Sequence, residues 1–303
     1  MKTRTQLNED KQQEIEKEEN YIKRKKTVIK TLKILTTLLI IFLSFFYYTT
    51  LISSKDIKVI EKRIIDKSIP ISFNGVKIIH FSDLLYGSTM NINDLKKIVK
   101  EINLRKPDLV FFTGDLIKKD LKISTLEQEN IINELKKLNS SIGKYAIYGD
   151  SDQENYQTIL NQSNFTLLTN THELIYNSNN EAILLVGLQS QTNNTINVEQ
   201  AYSYYSNPEN KILYTITLLH EPDAIQNINY HTNLFLAGHS LGGEINIPFI
   251  GSMHLKENAK IYTKNHYKEN NYEIFINTGL GTIDSNIRLF NKPTINFYRI
   301  SNQ

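Results

Sequence analysis

The chain contains no cysteine, which excludes disulfides, thiolate metal sites, thiol nucleophiles and a lipid-modified cysteine behind a leader. Any metal must then be held by Asp, Asn, Glu or His. Tryptophan is absent as well, so 17 Tyr and 13 Phe carry the aromatic packing. Proline and glycine are sparse, at 6 and 12 residues. No Pro/Gly/Ser-rich linker breaks residues 57 to 300, and one folded unit is expected there. Charge of one sign is lacking too. The formal net charge is +3, much of the basic excess lies before residue 34, and no nucleic-acid partner is expected. The lack of cysteine does not by itself name a compartment.

Long hydrophobic runs are rare, and the one present is informative. Ile34 to Ile52 carries no charge and, at about 1.5 Å per helical residue, approaches the ~30 Å hydrocarbon thickness of a bilayer. It predicts a transmembrane helix over 34–54. Lys23, Arg24, Lys25, Lys26, Lys30 and Lys33 precede it, whereas Lys55, Asp56 and Lys58 follow. This asymmetry puts a charged tail, residues 1–33, in the cytoplasm and residues 57–301 outside the cell membrane. A cleaved signal peptide would have an apolar stretch of roughly 7–15 residues ending in small side chains, and neither feature is present. The first 26 residues are Gln/Glu/Lys-rich and read as a solvated arm.

Beyond the span, short Ile/Val/Phe/Tyr-rich runs alternate at first with helical patterns, predicting a layered α/β domain. The runs stop at chemically useful residues: VKIIHFS at Asp83, DLVFFTG at Asp115, KYAIYG at Asp150, ILYTITLL at His220 and NLFLAG at His239. Layered α/β folds build sites beyond the carboxyl ends of their strands, so these five can converge. Oxygen and imidazole donors suit a divalent ion. Helices are expected from Asn91 to Leu104 and, behind a Ser124/Glu127 capping box, to about Leu138. Val59 to Ile65 and the run from Val76 are expected to form a hairpin about Phe73-Asn74-Gly75.

Taken in order, Ser82-Asp83-Leu84-Leu85-Tyr86-Gly87, Thr113-Gly114-Asp115-Leu116, Tyr148-Gly149-Asp150-Ser151-Asp152, His220-Glu221-Pro222-Asp223 and Gly238-His239-Ser240-Leu241-Gly242-Gly243 resemble the signature blocks of calcineurin-like metallophosphoesterases. Arg288-Leu289-Phe290-Asn291-Lys292-Pro293, with Asn277-Thr278-Gly279-Leu280-Gly281 before it, resembles the membrane-associated bacterial YkuE-like branch. The resemblance implies a four-layer α/β/β/α sandwich with two metals at one edge of facing sheets. It also implies what is missing. Leu85 and Leu241 stand where the family has the histidines of its first metal site, and Ser151 stands where it has the substrate-facing acid histidine. The second site is matched by Asp115, Asp150, His220 and His239, with Asp150 in place of an asparagine, and Asp83 completes the set.

One divalent ion (Mn, Zn, Fe or Mg) against three aspartates leaves a formal charge of about −1, where two ions would leave about +2 in the family pattern. Phosphate is then repelled, and the loss of an acid costs about 10²–10⁴ in rate. The expectation is a single-metal site with phosphoester hydrolysis weak or lost. The alternative is an active one-metal phosphoesterase on an extracytoplasmic or lipid-linked phosphorylated substrate. Asp152 reads as a loop support and His80, by strand alternation, as a sheet-face residue. His172, His231, His254 and His266 read as ordinary loop histidines. Gly238-His239-Ser240-Leu241-Gly242 also fits the serine-hydrolase elbow Gly-x-Ser-x-Gly, a remote reading because the residues after it alternate like a strand and not a helix.

Overall fold

The computed structural model describes residues 3–303 apart from 154, 194, 270, 284 and 285, and the chain forms two compact units, Met1–Thr49 and Thr50–Gln303. The first is helix α1, Arg4–Tyr47, which runs without a break for 44 residues. Its apolar side chains from Ile34 onward are exposed, and by length and composition the helix can cross a membrane.

The second unit is built from β1 (Lys58–Ile65), β2 (Lys77–Phe81), α2 (Ile92–Leu104), β3 (Leu109–Phe112), α3 (Thr125–Leu135), β4 (Gly143–Ala146), α4 (Asn155–Gln162), β5 (Thr166–Leu167), β6 (Thr171–Tyr176), β7 (Ala182–Gly187), the one-turn α5 (Val198–Ala201), β8 (Thr215–Leu219), β9 (Leu234–Ala237), a small hairpin of β10 (Asn246–Ile247) and β11 (Gly251–Ser252), β12 (His266–Lys268), β13 (Glu273–Ile276) and β14 (Thr294–Ser301). They make two six-stranded sheets, ordered β1-β14-β2-β3-β4-β5 and β12-β13-β9-β8-β7-β6. β2, β3 and β4 run parallel, as helical crossovers require, and so do β7, β8, β9 and β13.

Strands buried on both faces should read as continuous apolar runs, and β3 (LVFF) and β9 (LFLA) do. Ile78, Leu109, Phe111 and Tyr145 from one sheet meet Ile183, Ile216, Leu218, Leu234 and Leu236 from the other in a central core. Ile79, Phe81, Val110 and Phe112 face the opposite way, under Leu95, Ile98, Val99 and Ile102 of α2 and Ile131 and Leu135 of α3. A thinner outer layer around Tyr202, Ala224 and Ile225 covers the second sheet. The helix starts follow the expected chemistry. Asn91 accepts from the amides of Asn93 and Asp94, and Ser124 and Glu127 cap each other's backbone.

The expected hairpin is absent. β1 pairs in parallel with β14, and β14 pairs antiparallel with β2, so the last strand wedges between the first two. The parallel strands of each sheet point their carboxyl ends at one edge, and there the polar blocks gather.

Candidate metal centre

Asp83 follows β2, Asp115 follows β3, Asp150 lies beyond β4, and His220 and His239 lie just past β8 and β9. All five meet in one buried cluster. His220 Nε2 is 3.4 Å from Asp115 Oδ2, 3.2 Å from Asp150 Oδ1 and 4.0 Å from Asp83 Oδ1, and His239 Nδ1 is 3.0 Å from Asp150 Oδ1. Two donor triplets result, Asp150/His220/His239 and Asp83/Asp115/His220, each with its atoms mutually within 4.8 Å.

The backbone around them is bent to make this possible. Asp83, Asp115 and His239 have φ of 48°, 61° and 63°, in the left-handed region that Asp and His tolerate better than most residues. Gly114 at φ 89° lies so close to Gly149 that a Cβ would sit 2.3 Å from its amide nitrogen. The two aspartate-bearing loops are thereby pressed together. Asp152 locks them, accepting from the amides of Asp115 (2.8 Å), Leu116 (2.9 Å) and Gly149 (2.7 Å). This is a supporting role in the loop, with burial and Asp115 pushing its own carboxyl up to about 7.

The donor atoms are aimed as a cation site requires. His220 gives Nδ1–H to the Thr113 carbonyl (2.6 Å), which leaves Nε2 facing the carboxylates. His239 gives Nε2–H to the Glu257 carbonyl (2.8 Å). Its Nδ1 is then an acceptor beside the acceptor Asp150 Oδ1 at 3.0 Å; the Lys256 ammonium, 3.1 Å from Nδ1, supplies the positive charge there, and an ion bound at Nδ1 would displace it. Asp83 Oδ2 takes the Ser82 hydroxyl and the His239 amide, while its Oδ1 is buried without a hydrogen-bond partner and faces His220. Three carboxylates and two imidazoles with spare lone pairs fit a divalent ion.

Burial pushes Asp83 up. Asp115 and Asp150, which burial alone would raise, are held below the usual carboxylate range by His220, joined at Asp150 by His239. Burial would lower His220, but the carboxylates around it, Asp115 foremost, hold it well above the ordinary imidazole value. Its proton and a metal compete for the same electrons.

The blocks that bear no ligand hold the loops in place. Glu221 accepts from the amides of Gln191 and Thr192 at 3.0 Å each. Asp223 accepts from those of Lys260 (2.8 Å), Ile261 and Tyr262. Arg288, fully buried, clamps the Gly281 carbonyl, and Asn291 clamps that of Leu241. The cluster opens into a cavity of about 490 Å³ whose lining includes Lys118, Lys119, Ser151, His254 and Lys256.

Residues 76–243 match the family described as calcineurin-like phosphoesterase. The chain belongs to that family. It is similar to the uncharacterized metallophosphoesterase YkuE of Bacillus subtilis, 33% identical over 80% of this chain and 85% of that protein. A second B. subtilis protein, the uncharacterized metallophosphoesterase YkoQ, is 27% identical over 82% of this chain and 92% of its own. The bovine transmembrane protein with metallophosphoesterase domain is 27% identical over 58% of this chain and 43% of its length. The calcineurin-like fold anticipated from the signature blocks is therefore shown, as is kinship with the bacterial YkuE-like branch.

Within the family frame, the two leucines are conspicuous. Leu85 and Leu241 have φ of 46° and 49°, a conformation that histidine adopts far more readily than a bulky apolar side chain. Each is 1% exposed. Leu241 Cδ2 lies 2.5 Å from where a Cβ on Gly279 would fall, next to the Asp83 Cβ, and Leu85 packs against Gly281 in the same way. Hydrocarbon thus fills the side of the cluster next to Asp83. Ser151 gives its amide (2.8 Å) and hydroxyl (3.1 Å) to Asp115.

One residue escaped the sequence reading. Lys256, from the loop between β11 and β12, donates from Nζ to His239 Nδ1 at 3.1 Å, and its charge acts on Asp83, Asp115 and Asp150. It lies 17 residues beyond His239 in a polar run, and no periodicity marks it. His254, read as an ordinary loop histidine, lines the same cavity. His80 faces between the sheets, on Thr113 Oγ1 at 3.0 Å and against Tyr298. Ser240 accepts from the Gly242 amide and caps a single 3-10 turn, Leu241–Gly243, after which the chain enters β10 and no α-helix follows. Both nitrogens of the adjacent His239 are already engaged, which leaves the serine without that base.

Proposed function

We propose that the chain is a membrane-anchored calcineurin-like protein that binds phosphorylated ligands at a single-ion site, with phosphoester hydrolysis weak or lost. The observation that carries it is the pair of buried leucines held in left-handed backbone beside Asp83, where nitrogen donors would be needed for a second ion. Asp115, Asp150, His220 and His239 hold the ion, with Asp83 Oδ1 within reach. Mn, Zn, Fe and Mg all suit such a donor set. When bound, the ion supplies Lewis-acid polarisation of a phosphoryl oxygen. Ser151 cannot act as the acid that a histidine would be, because its hydroxyl is too weak a proton donor near neutral pH. Lys256 brings the ligand side of the ledger back toward neutrality. One ion, three aspartates and one ammonium sum formally to about zero instead of about −1, so a phosphate is admitted.

The anchor is residues 34–54, behind the tail 1–33 and ahead of the domain 57–301. The lysine-rich flank before it supports a cytoplasmic N-terminus and an extracytoplasmic domain. A transmembrane relative that shares the phosphoesterase domain supports attachment to a membrane. No nucleic-acid role is proposed.

Lys256 also favours a second reading, an active one-metal phosphoesterase or phosphodiesterase on an extracytoplasmic or lipid-linked substrate. One assay separates the two. The purified full chain in detergent, given Mn, Zn, Fe or Mg in turn, is tested on phosphomonoesters, diesters and pyrophosphates. Turnover that disappears in His220→Ala establishes the active enzyme. Saturable phosphate binding without turnover supports the binding protein.

A further inference from the structure

Among the described residues of the folded domain, a group of large apolar side chains lies uncovered at and beside the β10/β11 hairpin. At the tip of the β10/β11 hairpin Phe249 is 109% exposed and Ile250 75%, followed by Met253 at 59% and Leu255 at 40%. Phe290, 67% exposed, belongs to the same surface, because Leu289 pairs with the hairpin through the Ile245 bridge and receives the Asn246 amide at 3.0 Å. Phe249 also holds φ 69°, a costly conformation for an aromatic residue. Water gains nothing from such a tip. An apolar patch of this kind on a soluble surface marks a contact.

Its location says with what. The residues on either side of the hairpin, Gly243, Glu244, His254 and Lys256, line the metal cavity, whose rim also carries Lys118 and Lys119. Apolar side chains beside lysines match the interface of an anionic bilayer, acyl chains below and phosphate headgroups above. Only residues 53–57 separate the apolar run from β1, at most about 20 Å of extended chain. A domain so tethered meets the bilayer at high effective concentration, and a weak contact suffices.

We propose that the hairpin tip Phe249–Ile250, with Met253, Leu255 and Phe290, inserts into the bilayer interface and sets the mouth of the cavity at headgroup level. The ligand class this selects is a phosphorylated group presented at the membrane surface. The inference rests on the anchored reading above, and its test separates the two.

Because the chain has no tryptophan, a single introduced indole is an unambiguous probe. The full chain is reconstituted in phosphatidylglycerol/phosphatidylcholine vesicles with and without acyl-brominated lipid, carrying Phe249→Trp, Leu39→Trp in the anchor, or Ile212→Trp at the far end of β8. Ile212 is 73% exposed and precedes the amino end of β8, opposite the carboxyl end that carries His220, so it reports the side away from the cavity. Insertion to about 5–10 Å predicts that brominated lipid lowers the Phe249→Trp emission by about half. Leu39→Trp should be quenched and Ile212→Trp left unchanged. Quenching at Leu39 with none at Phe249 overturns the hairpin proposal and leaves the anchor standing. No quenching at either site overturns both. If Phe249→Trp is shielded from aqueous acrylamide yet untouched by brominated lipid, a protein surface such as a second copy of this chain covers the tip, and the lipid proposal falls.

Discussion

The two halves of the metal cluster share one backbone and differ in chemistry. On one side Asp150, His220 and His239 bring donor atoms within 4.8 Å of one another, and His220 reaches Asp115 at 3.4 Å. On the other, Asp83 keeps its unpartnered oxygen, but Leu85 and Leu241 hold the bent main chain that donor-bearing residues would use. On the single-ion reading proposed above, these loops keep the geometry of a two-ion centre without the ligands for one of the ions. Strain at a left-handed position is ordinarily tolerated because the site needs it. Here the strain persists on the leucine side with no donor to show for it, so the scaffold, and not the metal, is what holds these loops in shape.

Restoring donors should break the asymmetry most visibly. Leu85→His with Leu241→His relieves strain and supplies two imidazoles, and adding Ser151→His returns the acid. Phosphodiester turnover with Mn is expected to rise about 10²–10⁴-fold over the parent chain. No gain, with two ions bound, would show that the acid geometry is lost as well.

Removing a donor from the intact half comes next. His220→Ala leaves Asp83, Asp115 and Asp150 facing one another without their imidazolium. Breaking such a buried arrangement costs about 3–5 kcal/mol, to be read from denaturant unfolding in the presence of chelator. A variant as stable as the parent would mean that the carboxylates simply take up protons.

The two fully buried histidines sharpen the contrast further. His220 is raised by carboxylates, whereas burial lowers His80 to about 3. With 6.5 as the unfolded value, His80 stays neutral in the fold while the unfolded chain protonates, so stability is lost as pH falls from 6.5 toward 3. His80→Leu should remove about 2 kcal/mol of that loss at pH 5, seen as a flatter dependence of unfolding free energy on pH. An unchanged slope would place the acid sensitivity elsewhere.

The smallest effect is expected at the cavity wall. Lys256→Met should weaken inorganic phosphate binding about tenfold, the worth of one hydrogen bond to a charged group, while ion binding in calorimetry survives. Loss of the ion instead would make Lys256 a support for His239.

Much of this was legible from residues alone. Each of the five donor positions sat at the end of an apolar run, because a parallel strand buried on both faces must be apolar until it leaves the sheet, and only there can a polar side chain face a crevice. Helix α2 was equally plain, with Asn91 as its cap. The pairing of β1 was not. Its partner lies more than 200 residues away, and the alternation in Lys58–Ile65 says which face is buried but not which strand lies alongside. Lys256 was hidden for a related reason. It reaches the cluster because Asp223 pins the following loop by three amides, at Lys260, Ile261 and Tyr262, a tertiary contact that no local pattern announces.

The central claim concerns stoichiometry, and elemental analysis of the purified chain after loading with Mn or Zn and desalting measures it directly. One ion per chain, lost in His239→Ala and rising to two in the Leu85→His/Leu241→His variant, is the result this structure predicts. Two ions held by the unaltered chain would contradict it.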